Sequence, residues 1–151
     1  GHMEIGNNVL IARALGLEKL EGFMREGERT VGVVGEFAEP VSREGFVDLA
    51  CGVFEHGVQH SLLYGSEMVR KVAICSGSGA SGIEEAKSLG CDTFITGEIK
   101  EAVPIAVEEL GFNLVSAGHH RTEIFGVRAL ARKIENDLKI PAKFVDIDNP
   151  V

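Results

Sequence analysis

The spacing of apolar and polar positions changes several times along the chain, and each change marks a predicted element. Runs rich in β-branched residues, such as TVGVVGEF at 30–37 and DTFIT at 92–96, predict strands. Between the strands, apolar residues recur at helical spacing, as at Phe46, Ala50 and Val53, and this period predicts helices. Helices and strands are therefore expected to alternate over nearly the whole length.

The first part of the chain, residues 4–29, predicts a helical lead-in and a connector. Asn7 or Asn8 can cap the first helix, because an asparagine side chain accepts a hydrogen bond from the free amides of a helix start. The polar, glycine-containing stretch 18–29 is interpreted as the connector. A single α/β domain is then expected over residues 30–151.

Two further strand candidates, 58–65 and 69–75, are separated by a turn-like segment and predict a β-hairpin. A hairpin pairs its strands antiparallel, whereas strands connected through helices are usually parallel. The pattern therefore favours an α/β fold in which helices cover a mixed sheet over a fold with a purely parallel sheet.

The last predicted helix is amphipathic, with charged positions that can face water. Its apolar positions are Val127, Leu130, Ile134 and Leu138. The segment KFVDI at 143–147, which follows Pro141, predicts a closing strand. We therefore expect the helix to pack by its apolar face and the chain to end in the sheet.

Length and hydropathy predict one domain without a membrane segment. A chain of 151 residues can bury a core, and no hydrophobic run approaches the roughly 18 residues that cross a bilayer. The first residues, Gly1-His2-Met3, are typical of the remnant of a cleaved expression tag, so arguments about sites start at Glu4.

Cysteine usage and charge narrow the functional classes. Cys51, Cys75 and Cys91 are odd in number and widely spaced, which is typical of reduced thiols and predicts a soluble, cytoplasmic protein. The formal net charge of −8 opposes general nucleic-acid binding, because that binding depends on clustered Lys and Arg. Neither nucleic acid nor a membrane is an expected partner.

The glycine-rich loop CSGSGASG lies between a predicted strand and a predicted helix. Backbone amides of Ser76, Gly77, Ser78 and Gly79 can cradle an anion there. The spacing matches neither the dinucleotide-binding fingerprint nor a P-loop, and small residues also serve simply to turn the chain. On the motif alone, the tight turn is the favoured interpretation.

His119, His120 and Glu123 open the last predicted helix. His119 and Glu123 are four residues apart, so they share one helical face, and imidazole and carboxylate suit Zn²⁺, Mn²⁺ or Fe²⁺. Glu98 follows a strand and a glycine, where α/β folds often place functional groups. Two ligands fall short of a complete metal site, so spacing alone favours a solvated helix start.

Several blocks of the sequence, taken in order, resemble the NIF-three-like family (NGG-interacting-factor-three-like). Its bacterial and archaeal members often carry the label GTP cyclohydrolase I type 2 homologue. The resemblance spans nearly all residues from 6 to 151, and GH-x-x-TE at 118–123 with the terminal Asn-Pro is a specific part of it. The matching blocks are GNNVLIARALGL, VAICSGSGAS, DTFITGEIKEA, SAGHHRTEIFGVRAL and FVDIDNPV.

The resemblance implies two divalent metal ions in a cleft between two α/β halves. Matched residue by residue, His119 and Glu123 are metal ligands, His120 supports them or lines the cleft, and Glu98 lies in a block that lines the same cleft. In the intact protein this implies metal-assisted hydrolysis, with Glu98 orienting a water or transferring a proton. The implied substrate class is a nucleotide or another phosphoester, and the implied assembly is a homo-oligomer.

The chain departs from the family pattern at its start. The family's His-His-Pro segment and its later His and Asp ligands should lie upstream of EIGNN at 4–8, and this chain has neither. We therefore expect a truncated chain or a fragment whose own metal binding is weak or absent. Two other interpretations stay open: a non-enzymatic metal-sensing, regulatory or protein-interaction module, and nucleotide binding through SGSGAS without a metal.

Overall fold

The computed structural model describes residues 2–147 and contains five α-helices and six β-strands within that range. The strands are β1 (Glu18–Glu26), β2 (Arg29–Ser42), β3 (His60–Leu63), β4 (Met68–Cys75), β5 (Thr93–Thr96) and β6 (Asn113–Ser116). The helices are α1 (Asn7–Ala14), α2 (Arg43–Val53), α3 (Ile83–Ser88), α4 (Val103–Glu109) and α5 (His119–Leu138), and a short 3-10 helix spans Gly79–Gly82.

All six strands form one mixed sheet in the order β1-β2-β4-β5-β6-β3. The central strands β4, β5 and β6 are parallel, and the flanking pairs β1/β2, β2/β4 and β3/β6 are antiparallel. The prediction of an α/β fold with a mixed sheet is therefore confirmed. Across residues 2–147, none of the helices combines the length and the apolar character that a bilayer crossing requires.

The sheet is covered on both faces, because consecutive strand residues point to opposite sides. In β4, Val72 and Ile74 pack in a cluster with Phe46 of α2, whereas Ala73 packs in a second cluster with Ile83 of α3. Both clusters consist of buried residues. Burial on two faces explains why the central strands read as continuous hydrophobic runs.

The connector predicted for 18–29 is wrong, because Glu18–Glu26 forms the edge strand β1. This strand pairs antiparallel with β2 and buries one residue, Phe23, whose ring meets that of Phe94 edge-to-face at 6.2 Å. An edge strand that is mostly exposed carries few apolar residues. Its composition therefore resembles that of a polar loop.

The predicted hairpin is also wrong. β3 pairs with β6 at one edge of the sheet, where Leu62 lies opposite Leu114, while β4 lies between β2 and β5. The turn between β3 and β4 instead carries the chain across the sheet. Gly65 N donates to Asn113 Oδ1 at 2.9 Å and Asn113 Nδ2 donates to the carbonyl of Ser66 at 2.9 Å, so a distant side chain holds this turn.

Two predictions for the C-terminal part are wrong as well. Residues 143–147 form no strand, and Phe144 packs against the guanidinium of Arg128 on α5, 4.8 Å from the ring centroid. The predicted core face of α5 is open, since Val127 is 54% and Leu138 62% exposed. Among the described residues, the buried part of α5 is its beginning, at Thr122 and Ile124. Gly1 and residues 148–151, with the terminal Asn-Pro, lie outside the described residues.

Candidate metal centre

The candidate site lies at the carboxyl ends of three neighbouring parallel strands. Cys75, Thr96 and Ser116, the last residues of β4, β5 and β6, lie in register with one another. The segments that follow them are the glycine-rich loop 76–79, Gly97-Glu98 and the start of α5. Strand ends of this kind rim the crevice in which open α/β sheets commonly bind ligands.

His119 lies between two carboxylates, one at each ring nitrogen. Its Nδ1 is 3.2 Å from Glu98 Oε2, and its Nε2 is 3.5 Å from Glu123 Oε2. The side chains of His119, Glu98 and Glu123 are 43%, 41% and 48% exposed, so a ligand in solution can reach all three. The structure thus brings Glu98 together with His119 and Glu123, which the sequence singled out on a different segment.

A buried threonine fixes the start of α5 to the glycine-rich loop. The hydroxyl of Thr122 accepts a hydrogen bond from Gly77 N at 3.0 Å and donates one to the carbonyl of His119 at 2.9 Å. Thr122 N donates to the carbonyl of Gly118 at 3.1 Å. The first helical turn, and with it the one-turn separation of His119 and Glu123, is therefore anchored on both sides.

Gly77 lets the loop pass directly beneath the two candidate ligands. Its φ is +64°, and a Cβ at this position would lie 2.6 Å from Glu123 Oε1 and 3.1 Å from His119 Nε2. Its carbonyl accepts from Gly97 N at 3.0 Å and from Glu98 N at 3.1 Å. Any side chain here would meet both backbone strain and the His119–Glu123 pair.

The amides of the glycine-rich loop are used by the protein itself. Ser76 N donates to Asn8 Oδ1 at 2.8 Å, Gly77 N to Thr122, and Gly79 N to Thr96 Oγ1 at 3.1 Å. Three of the four amides proposed for anion binding are therefore engaged within the fold. This geometry favours the tight-turn interpretation, and Ser78 contributes differently, because its hydroxyl donates to Glu98 Oε1.

Asn7 and Asn8 carry a role that their sequence position did not reveal. Neither caps α1, whose N-cap is Gly6 without a side-chain hydrogen bond. Asn8 is buried and links Ser76 N to the carbonyl of Val31, while Asn7 Oδ1 accepts from Gly126 N at 2.6 Å. Helix α1 thereby ties together β2, the glycine-rich loop and α5. The sequence singled out these residues as helix caps and within the GNN block of the family resemblance, and neither signal indicated these tertiary contacts.

His120 belongs to a different region. Its Nε2 lies 3.0 Å from Asp146 Oδ1, and Asp146 also lies 3.4 Å from Arg128, which pairs with Glu55. These side chains border a cavity of about 310 Å³ with Phe54 on its apolar wall. His119 and Glu123 do not line this cavity. The prediction that His120 supports the ligand pair or lines the cleft stays a prediction; the contact of its Nε2 runs to the C-terminal segment.

Local contacts and burial shift the pKa values of Glu98 and Cys75 in opposite directions. Hydrogen bonds from the Ser78 hydroxyl and the His119 ring hold the pKa of Glu98 below its usual range. Burial, with smaller contributions from Glu26 and Glu123, raises the pKa of the Cys75 thiol. At neutral pH Glu98 is therefore a carboxylate, and Cys75 stays a protonated core residue.

The ligand pair fits a divalent cation, although it does not complete a site. Across residues 2–147, no group of three or more His, Cys, Asp or Glu side chains is arranged to hold a metal ion. Glu98 does not add a third ligand to the pair because it lies at the opposite edge of the His119 ring. Nε2 of His119 and the carboxylate of Glu123 suit Zn²⁺, Mn²⁺ or Fe²⁺ as two ligands of a larger set.

The family model for Duf34/NIF3 (NGG1p interacting factor 3) matches residues 1–150. The chain belongs to the DUF34/NIF3 family. Its relatives in this family include a protein of Haemophilus influenzae named GTP cyclohydrolase 1 type 2 homolog, which is 36% identical over 149 residues and covers 99% of this chain. A protein of the same name from Escherichia coli K12 is 37% identical over 154 residues.

Solved structures of similar proteins agree with the fold. A protein described as "protein ybgI, unknown function" aligns with a TM-score of 0.88 at 32% identity, over 99% of this chain and 59% of its own. The protein TTHA1606 from Thermus thermophilus aligns with a TM-score of 0.83 at 29% identity, over 100% of this chain and 58% of its own. This DUF34/NIF3 chain likewise spans 59% of the Haemophilus influenzae relative and 58% of the Escherichia coli relative.

Proposed function

We propose that this chain supplies His119 and Glu123 as two ligands of a divalent metal centre in a metal-dependent hydrolase. The observation that carries the proposal is the placement of His119 Nε2 and Glu123 Oε2, 3.5 Å apart and half-exposed, directly above Gly77. The name GTP cyclohydrolase 1 type 2 homolog belongs to the relatives and leaves the substrate of this chain open.

A bound divalent metal would supply Lewis acidity at this position. The protein's own part is to hold the two ligands in place: Thr122 anchors the helix start, and Gly77 leaves the space beside the ligands free of side-chain atoms. Zinc usually takes four ligands and this pair fills two positions, so we propose weak metal binding by the chain alone. Further ligands would come from the part of the relatives that this chain does not span.

A nucleotide or another phosphoester is the proposed substrate class. A hollow of about 360 Å³ lies beside Glu123, and its wall includes Asn7, Ser76 and buried Cys75. That volume suits a small molecule. Since the loop amides are engaged with Asn8, Thr122 and Thr96, a substrate phosphate would not rely on them.

The alternative function is a non-enzymatic metal-sensing, regulatory or protein-interaction module. The observation that favours it is the absence, across residues 2–147, of a third side chain completing the ligand set. A pair of exposed ligands suits reversible metal binding better than catalysis by this chain alone. Homo-oligomerisation and a cytoplasmic location stay predictions from the sequence.

Metal titration tests the metal centre. Calorimetry with Zn²⁺ and Mn²⁺ should show weak binding by this chain, which His119→Ala and Glu123→Ala each remove, while Glu101→Ala, at an exposed carboxylate, preserves it. Tight stoichiometric binding would contradict an incomplete site. Binding that survives both ligand variants would contradict the site itself.

Turnover separates the hydrolase from the binding module. A full-length DUF34/NIF3 protein that contains the equivalent of His119 should hydrolyse a nucleotide or phosphoester when loaded with metal. The equivalent of His119→Ala should abolish that activity. Metal binding without turnover across a nucleotide and phosphoester panel would favour the module, and an unchanged rate in the variant would refute a role of this residue in hydrolysis.

A further inference from the structure

Glu98 has two side-chain contacts, and neither points towards the space between the candidate ligands. Its Oε1 accepts a hydrogen bond from the Ser78 hydroxyl, and its Oε2 lies 3.2 Å from Nδ1 of His119. Its backbone N donates to the carbonyl of Gly77 at 3.1 Å. Both the backbone and the carboxylate of Glu98 are therefore held in place beside the His119 ring.

The two edges of the His119 ring are not equivalent. A neutral imidazole carries one N–H, so only one of its nitrogens donates while the other offers a lone pair. The Nδ1–Glu98 distance of 3.2 Å is within the range of an N–H···O hydrogen bond, whereas the Nε2–Glu123 distance of 3.5 Å exceeds it. The shorter distance on the Nδ1 side therefore favours the tautomer with its proton on Nδ1, facing Glu98.

We infer that Glu98 is a positioning residue, which holds His119 as the Nδ1–H tautomer so that the lone pair of Nε2 faces Glu123. This inference rests on the proposed function for its purpose, because a metal bound by the pair needs that lone pair. Metal-binding histidines commonly donate their second ring N–H to a carboxylate, which orients the ring and raises its basicity. Glu98 acts through His119 and not on the substrate.

Ser78 extends the same arrangement. Its hydroxyl donates to Glu98 Oε1, so one carboxylate oxygen is held by Ser78 while the other faces His119. An ionised carboxylate accepts a stronger hydrogen bond than a neutral group does. The glycine-rich loop therefore contributes to the candidate site through the Ser78 side chain. Ser78 holds the Glu98 carboxylate in position, and that carboxylate holds the His119 ring.

The tautomer of His119 tests the inference without any metal. Nitrogen NMR of the metal-free chain, at a pH high enough to keep the imidazole neutral, should report His119 mainly as Nδ1–H, with the signal assigned by its loss in His119→Asn. Glu98→Ala should shift His119 towards Nε2–H, Ser78→Ala should shift it partly, and Glu98→Gln, which keeps an acceptor oxygen, should largely restore Nδ1–H. Glu101→Ala is the matched control and should change nothing.

Zinc affinity gives the second measurement. Loss of a carboxylate that supports a ligating histidine typically weakens metal binding about 10–100-fold, and we expect this for Glu98→Ala but not for Glu101→Ala. Equal affinity of Glu98→Ala and the parent chain would overturn the inference while the metal centre stands. If the parent binds no zinc, the metal proposal fails for this chain, and the tautomer of His119 alone decides the role of Glu98. An unchanged Nδ1–H preference in a folded Glu98→Ala variant would overturn that role. If Glu98→Ala does not fold, an unchanged preference in Ser78→Ala would overturn it instead.

Discussion

His119 and His120 are neighbours in the chain, yet each belongs to a separate region at the start of α5. The His119 region consists of the glycine-rich loop, Glu98 and Glu123, and hydrogen bonds to backbone amides and carbonyls organise it. The His120 region consists of the C-terminal segment with Asp146 and Arg128, and it is organised by ion pairs over packed aromatic rings. Adjacent residues on a helix point about 100° apart, so one strand-to-helix junction serves both regions.

The difference indicates that one region suits ligand binding and the other holds the C-terminal segment. The His119 region leaves a histidine nitrogen and a carboxylate near each other and accessible, which suits ligand binding. In the His120 region the charged groups already satisfy one another, because Asp146 faces both His120 and Arg128. The second region therefore holds the C-terminal segment against α5, and the first is the better candidate for chemistry.

The largest expected effect comes from the apolar wall of the His120 region. Phe54 is 1% exposed, and its ring meets that of Phe125 edge-to-face at 5.8 Å. Phe54→Ala should lower the free energy of unfolding by about 3–5 kcal/mol, measured by urea denaturation. Leu49→Ala, at a 37% exposed position of α2, should cost much less. Equal costs would show that the aromatic contact does not support this region.

Next in size is the loss of Asn8 in the His119 region. Asn8→Ala leaves Ser76 N and the carbonyl of Val31 without the partners they have in the structure. Unpaired groups of this kind cost about 1–3 kcal/mol, so we expect a loss of that size in urea denaturation and faster hydrogen exchange at Ser76. Asn7→Ala, which loses the one hydrogen bond from Gly126 N, should cost less. Unchanged exchange at Ser76 would contradict the tie between α1 and the loop.

Gly77→Ala separates backbone strain from crowding of the ligand pair. Gly77 and Gly27 have similar positive φ values of +64° and +62°, but a Cβ at Gly27 meets nothing within 4 Å. Both alanine variants should lose about 1–2 kcal/mol of unfolding free energy from the left-handed backbone. Only Gly77→Ala should also weaken zinc binding, because its Cβ displaces His119 and Glu123. Equal zinc affinity in the two variants would remove Gly77 from the site.

The smallest effect is expected from the ion pair of the His120 region. A hydrogen bond from His120 lowers the pKa of Asp146 in the folded protein. The Asp146 carboxylate therefore stabilises the fold above the ordinary aspartate pKa, and this stabilisation is lost as the pH falls through the lowered pKa. The melting temperatures of the parent and Asp146→Asn should therefore differ at neutral pH and converge only once the pH falls below the lowered pKa of Asp146. Asp48→Asn on α2 controls for the loss of one exposed charge. A constant difference across this pH range would contradict the ion pair.

Local sequence patterns predicted the elements that carry the site, because those elements bury their own apolar residues. The runs ending at Cys75 and Thr96 were predicted as strands, and they belong to the buried parallel centre of the sheet. Phe46 and Ala50 marked the buried face of α2 correctly. The patterns failed where an element buries few of its own residues. Strand β1 buries only Phe23, so its sequence resembled that of a loop.

The sequence by itself determined which residues are available for chemistry and the spacing of one pair. His119 and Glu123 lie one turn apart wherever this segment is helical, since helix geometry depends on neighbouring residues alone. Tertiary structure decided the rest. Parallel strand order brought Glu98 to Nδ1 of His119 and Ser78 to Glu98, and the fold placed Asp146 of the C-terminal segment beside His120. The partners in these contacts lie 20 or more positions apart in the sequence, and no local period encodes such pairings.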